Sequence, residues 1–156
     1  YAQGVKTITV PDLRWKRCDI KSVALLPNIL AKQTAHEPGA YEALLVNDAG
    51  QVTEGSSTSS FRVTDGTIYT SPDGAHILPS ITRRILIDLI RDLEIPLSEE
   101  LSSLEDYLAA DEVFLAGTTT EAMPVIDIDG QMIGIGRPGT ETLRIRDAFV
   151  AMIRDS

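Results

Sequence analysis

Val5-Lys6-Thr7-Ile8-Thr9-Val10 alternates apolar and polar side chains and is rich in β-branched residues, so a strand is predicted there, ended by Pro11. Residues 15–21 read as a second extended stretch. Ser22 is placed to cap a helix reaching about His36, with Val23, Leu26, Ile29 and Leu30 at helical spacing and Pro27 in its early turns. Gly39 follows where a terminator belongs. A strand-rich block comes next, with residues 41–46 and 51–53 around Asn47-Asp48-Ala49-Gly50, and 59–63 and 67–70 around Thr64-Asp65-Gly66. Ser80 opens a helix in which Ile81, Ile85 and Leu89 recur at i, i+4 and i+8. Ser103-Leu104-Glu105-Asp106 predicts a capped short helix to about Ala110. Residues 112–116 read as a buried strand, and 125–128 with 131–133 as a hairpin around Asp129-Gly130. A final helix from about Thr140 to Arg154 is expected to bury Leu143, Phe149, Met152 and Ile153.

Strands joined by short turns, with helices arriving singly, predict an α+β fold on a mixed or largely antiparallel sheet rather than a doubly wound one. The 156 residues suit one domain with a sizeable core. The first residue is Tyr1 and not Met, and a strand is under way by Val5, so the chain is expected to be a piece of a longer polypeptide.

Charge narrows the partners. Fourteen Lys+Arg against 23 Asp+Glu give a net charge of −9, and the largest basic cluster is Arg14-Trp15-Lys16-Arg17, which argues against nucleic acid. Cys18 is the one cysteine, and His36 and His76 lack zinc-type spacing. No apolar run approaches the ~18 residues of a membrane span, so no membrane partner and a cytoplasmic setting are expected. Neither a GxGxxG nor a GxxxxGK[ST] loop occurs.

Four segments could carry chemistry. Alternation through residues 17–21 would put Arg17, Asp19 and Lys21 on one face, and the ordinary reading is a solvated edge. Lys21 nevertheless stands at a strand-to-helix junction before an apolar run, where a partly desolvated amine could attack a carbonyl and form a Schiff base. Glu54 precedes a run of small hydroxyl residues. It is either a polar loop residue or a carboxylate able to pair with a protonated ring nitrogen, with short neighbours that admit a flat ligand. Ser80-Ile81-Thr82 is a helix start whose N–H groups suit a phosphate, though an ordinary N-cap reads the same way. Gly117-Thr118-Thr119-Thr120 offers further N–H and O–H donors, or is simply a turn. Apart from Arg83 and Arg84 neither cradle holds a cation, which favours one phosphate monoester over a nucleotide. An imine-forming lysine, a carboxylate for a ring nitrogen and two phosphate cradles are what pyridoxal phosphate asks of a protein.

Arg17-Cys18-Asp19-Ile20-Lys21-Ser22, Val52-Thr53-Glu54-Gly55-Ser56-Ser57, Ile77-Leu78-Pro79-Ser80-Ile81-Thr82-Arg83 and Gly117-Thr118-Thr119-Thr120-Glu121 stand in one order and spacing. In this the chain resembles the fold type IV pyridoxal-phosphate aminotransferases. The Asp-Ile-Lys-Ser context leans toward the branch acting on D-amino acids, such as D-alanine, over the branched-chain and aminodeoxychorismate-lyase branches. The resemblance implies transfer of an amino group between a D-amino acid and a 2-oxo acid such as 2-oxoglutarate. It implies that Lys21 holds the cofactor as an imine and shuttles a proton, that Glu54 bonds the pyridine nitrogen and that Leu78 packs on the ring. Ile81, Thr82, Gly117 and Thr118 would hold the phosphate, with Gly117 standing where relatives often carry serine. The family's smaller N-terminal domain, which supplies a phosphate arginine and the grip on the substrate carboxylate, has no counterpart here, and the complete protein would be a homodimer. The rival from another class is a non-catalytic fragment that only folds or binds a partner domain.

Overall fold

The computed structural model describes residues 3–154. In chain order the elements are β1 (Val5–Pro11), α1 (Leu26–His36), β2 (Glu42–Val46), β3 (Gln51–Gly55), β4 (Ser59–Thr64), β5 (Thr67–Thr70) and α2 (Ile81–Asp92). They continue with β6 (Leu97–Glu99), β7 (Ser102–Ser103), α3 (Leu104–Leu108), β8 (Glu112–Gly117), β9 (Glu121–Ile128), β10 (Gln131–Met132) and α4 (Thr140–Arg154). Asp65 and Gly66 (φ 49° and 74°) and Asp129 and Gly130 (φ 53° and 81°) supply consecutive left-handed residues. That is the backbone two-residue hairpin turns require, and it explains the Asp-Gly pairs.

The strands form one mixed sheet in the order β6-β5-β4-β8-β9-β1-β2-β3-β7, with β10 on β9. β1 runs parallel to both β2 and β9, and β5 to β6. The other pairings are antiparallel, among them β2 with β3, β4 with β5 and β8, and β8 with β9. β6 and β7 end the strand path at opposite sides, yet only Glu100 and Leu101 separate them in sequence. Three residue steps reach ~10 Å at most, so the two sides must meet and the sheet curls on itself. Arg62 Nε on β4 donates to Ser102 Oγ on β7 at 2.8 Å, and Ser71 Oγ, just past β5, donates to the Thr53 carbonyl of β3 at 2.6 Å.

Alternation along β8 sorts the core. Val113 and Leu115 join Leu44, Val52, Met123, Val125 and Tyr107 of α3 inside the curl. Phe114 and Ala116 face the other way, with Phe61, Leu86, Ile87 and Ile90 of α2 and Ile145 and Phe149 of α4. Phe61 and Phe114 stack with centroids 4.7 Å apart. Ala31 and Ala35 of α1 cover Ala43 and Leu45 of β2, where small side chains let helix and strand approach closely.

Several expectations change. Residues 15–21 are not a strand: the Ile20 N–H closes a turn onto the Arg17 carbonyl at 3.1 Å, so alternation does not place Lys21. The first helix begins at Leu26 without a side-chain cap, while Ser22 Oγ accepts the Ala24 N–H locally at 3.2 Å. A start at Ser22 would put Pro27 in the helix interior, where its ring clashes and its N–H is missing; as built it sits in the first turn. The apolar spacing of that segment does not mark a core face. Val23 is 98% exposed, and Leu26, Ile29 and Leu30 are exposed as well. On α2 the buried stripe is Thr82, Arg83, Leu86, Ile87 and Ile90, with Ile85 and Leu89 at its margin and Ile81 70% exposed. On α4, Thr142, Ile145 and Phe149 are buried, Leu143 and Met152 are half-buried and Ile153 is exposed. β6 and β7 are too short to show a period in sequence.

Candidate active site

Glu54 sits inside β3, one residue further into a strand than its sequence context indicates, and is buried. Its Oε1 accepts from Arg14 Nη1 and, at 3.1 Å, from the Leu78 backbone N–H. Its Oε2 takes no hydrogen bond from any described residue. Burial pushes the Glu54 carboxyl up to about 6, against the opposing pull of Arg14 and the Leu78 N–H. One oxygen is thus pinned and the other has no partner among the described residues.

Arg14 is the residue that sequence reading passes over, since it looks like part of a surface basic cluster. Its Nε and Nη2 donate to the two oxygens of Asp12 at 2.8 Å each, Nη2 also to Thr53 Oγ1 at 3.3 Å and to the His76 carbonyl at 2.9 Å. Burial opposes its charge, but Asp12 and Glu54 together raise its pKa beyond the usual arginine value. Burial likewise raises Asp12, and the Arg14 bonds with Thr53 outweigh it and hold that carboxyl below its ordinary range. No sequence signal marks it, because the acceptors that bury its guanidinium come from β3 and from the segment before α2.

Leu78 is half-buried in the segment between β5 and α2. The Cys18 N–H donates to the Ala75 carbonyl at 2.9 Å, which ties the 17–20 turn, and with it the approach of Lys21, to this same segment. Ser80 caps α2, its Oγ accepting the Arg83 N–H at 3.3 Å. The N–H groups of Ile81 and Thr82 find no acceptor among the described residues, as expected of a helix start. The Arg83 guanidinium is buried, with Nη1 and Nη2 bonded to Asp73, Glu99 and the Ser71 carbonyl and Nε without a partner among the described residues.

The small hydroxyl run after Glu54 is a built loop. The Gly55 N–H closes onto the Thr58 carbonyl at 2.7 Å, and fully buried Glu42 accepts from Ser56 Oγ, Ser57 Oγ (2.8 Å) and Thr58 Oγ1 (3.2 Å). Asn28 of α1 donates to the Ser56 carbonyl at 2.8 Å. Thr58 lies beside Gly117, where an added Cβ would meet only ordinary contacts of 3.5 Å. The space at Gly117 therefore admits a Cβ. Thr118 and Thr119 are exposed, and Tyr41 Oη meets Thr120 Oγ1 at 3.1 Å behind the turn.

The structure thus ties Glu54 to Leu78 directly, the start of α2 to β3 through Ser71, and Gly117 to the loop that follows Glu54. Lys21 is exposed and makes no hydrogen bond or ion pair with a described residue, so its side chain is not the partly desolvated group its sequence setting suggests. No group of metal-binding side chains occurs among the described residues.

The profile of the amino-transferase class IV family matches residues 3–128. The D-alanine aminotransferase of Bacillus licheniformis is 44% identical over 146 residues, which cover 94% of this chain and 51% of that protein. The one from Staphylococcus haemolyticus is 42% identical over 147 residues, 94% of this chain and 51% of that protein. Among solved structures, the branched-chain aminotransferase of the archaeon Thermoproteus uzoniensis with norvaline matches with a TM-score of 0.88 at 33% identity, covering 97% of this chain and 52% of that one. The Thermobaculum terrenum branched-chain enzyme in its PLP form matches at 0.87 and 29%, covering 96% and 51%. The chain spans about half the length of the curated relatives it matches.

Proposed function

The chain belongs to the amino-transferase class IV family, and from that premise we propose that it is the cofactor-binding part of a transaminase. The reaction proposed moves an amino group between a D-amino acid such as D-alanine and a 2-oxo acid such as 2-oxoglutarate, with pyridoxal 5'-phosphate as cofactor. The observation that carries the reading is the division of labour on Glu54, with Oε1 held by Arg14 and Leu78 and Oε2 open.

The residues fit the group. Oε2 is a carboxylate acceptor for a ring N–H, and Arg14 favours the ionised form that does this. The unpaired N–H groups of Ile81 and Thr82, with Gly117 and the hydroxyl of Thr118, suit a phosphate. Leu78 offers an apolar side chain for the ring face, and the small residues 55–58 leave room beside it. When bound, the cofactor supplies an aldehyde that captures amines and a ring that withdraws electrons. Lys21 would offer its Nζ amine to that aldehyde and would be the group that takes and returns the substrate Cα proton.

D-alanine specificity is supported by the 42–44% identity to D-alanine aminotransferases. The likeness to branched-chain aminotransferase structures supports a second reading, a branched-chain substrate. The substrate carboxylate partner, in this proposal, lies in the half of the protein that this chain does not span. A homodimer of the complete protein, its interface drawing on the apolar strip of Val23, Leu26, Ile29 and Leu30, belongs to the same proposal. So does a cytoplasmic location, supported by the single unpaired Cys18; among the described residues no helix is long and apolar enough to cross a membrane. The test is an amino-acid panel with both enantiomers and 2-oxoglutarate on the complete protein. Turnover of D-alanine supports the first reading, turnover confined to L-leucine, L-isoleucine and L-valine the second, and no turnover of any contradicts both.

A further inference from the structure

Arg83 follows Thr82 on α2, yet its side chain is 3% exposed and bonded away from the helix start. Nη2 donates to the Ser71 carbonyl at 2.6 Å and to Glu99 at 3.0 Å, and Nη1 to Asp73 at 3.0 Å. Ser71 Oγ donates in turn to the carbonyl of Thr53, the residue before Glu54, at 2.6 Å. A continuous polar chain therefore runs from the start of α2 through Arg83 and Ser71 to the strand bearing Glu54. The Arg83 guanidinium also holds the start of the segment that carries Leu78 through Ser71 and Asp73, its backbone N–H meets Ser80 Oγ at that segment's end, and the Leu78 N–H donates to Glu54. One guanidinium that contacts neither thus lies on the hydrogen-bonded path between the two poles of the proposed site, a ring-nitrogen acceptor and a pair of free N–H groups. A flexible lysine ammonium lacks the rigid fork that spans three oxygens at once.

We propose that Arg83 is a positioning residue that sets the distance between Glu54 and the N–H groups of Ile81 and Thr82 to the length of a phosphorylated pyridine ligand. This rests on the reading of the site as a pyridoxal-phosphate site. Because the residue acts on the span between the poles, its loss should weaken ligands that reach both and spare a ligand that reaches one. Pyridoxal, which lacks the phosphate, is that second ligand.

The experiment uses the complete protein, with dissociation constants for pyridoxal phosphate and for pyridoxal measured on the unaltered protein, Arg83→Met, Arg83→Lys and the exposed control Arg137→Met. Arg83→Met should weaken pyridoxal phosphate by roughly tenfold to a hundredfold, as expected when a charge-assisted contact is displaced, and pyridoxal by less than about threefold. Arg83→Lys should fall between, and Arg137→Met should match the unaltered protein. If Arg83→Met does not fold, the ratio for Arg83→Lys decides in the same way. An unchanged preference for pyridoxal phosphate over pyridoxal, whether both affinities stay or fall together, overturns the inference alone. Failure of the unaltered protein to bind pyridoxal phosphate at all overturns the reading of the site and the inference with it.

Discussion

Arg14 and Glu54 form an ion pair with side chains only 6% and 8% exposed, and every other polar contact of the Arg14 guanidinium is made to Asp12, Thr53 or the His76 carbonyl. One guanidinium thereby balances the buried Glu54 and the half-buried Asp12 and leaves Glu54 a free oxygen. Removing one partner of such a pair strands the other charge. Arg14→Met should therefore destabilise the complete protein by ~3–5 kcal/mol in urea unfolding, and a loss under about 1 kcal/mol would show that solvent replaces the pair.

Glu54 also sets a pH dependence. Its folded value of about 6 lies above the ordinary 4.5, chiefly through burial. A carboxyl raised in this way binds its proton more tightly when folded, so its contribution is full below about pH 4.5 and is lost as pH rises through about 6. The shift corresponds to roughly 2 kcal/mol. Compared with Glu54→Gln, which does not ionise, the unliganded wild-type chain should lose about that much relative stability between about pH 4 and pH 7. Asp12 is shifted the other way but is common to both proteins, so it largely cancels. A difference that is flat with pH would mean that Glu54 is already solvated.

In catalysis the same substitution reads differently. Glu54→Gln should retain cofactor, because the amide oxygen still accepts and Arg14 still has a partner, but it no longer favours a protonated ring. Loss of one charge-assisted hydrogen bond of ~1.5–3 kcal/mol, felt mainly in the transition state, slows turnover roughly tenfold to a hundredfold. Steady-state rates on the complete protein check this, and an unchanged kcat would reduce Glu54 to a structural residue.

A prediction far from the site concerns helix α4. Glu112 caps its start, accepting from the Thr142 N–H at 2.8 Å, Thr142 Oγ1 at 2.7 Å and the Glu141 N–H at 3.1 Å. A Cβ on Gly139 would overlap the Glu112 carboxyl carbon and push the cap aside. Gly139→Ala should lower stability by ~1–2 kcal/mol, as loss of a side-chain cap does, without altering cofactor affinity. Thermal melts with and without cofactor separate the two effects.

The hairpins at Asp65-Gly66 and Asp129-Gly130 and the capping box at Ser103 are legible in sequence because local chemistry alone decides them. The mixed sheet follows from how strands and single helices alternate. What sequence does not carry is anything set by distant pairing. The two-residue strand β7 exists because it meets β3, and the curl exists because β6 and β7 are neighbours in sequence. The helical spacing of Val23, Leu26, Ile29 and Leu30 is real, but these side chains find no cover within the described residues, so periodicity signals a core face where there is an exposed one. Residue type and order make Glu54, Ile81, Thr82, Gly117 and Thr118 candidates, and Leu78 joins them through the family resemblance. Arg14 and Arg83 cannot, since a buried guanidinium and a surface one look alike until their acceptors fold around them.

The central claim is that Lys21 carries the cofactor. Borohydride reduction of the complete protein with pyridoxal phosphate, followed by peptide mass mapping, tests it most directly. A reduced adduct on Lys21, lost in Lys21→Ala while the fold persists by circular dichroism, is the predicted result. An adduct on Lys6, Lys16 or Lys32 instead, or one that survives Lys21→Ala, contradicts it.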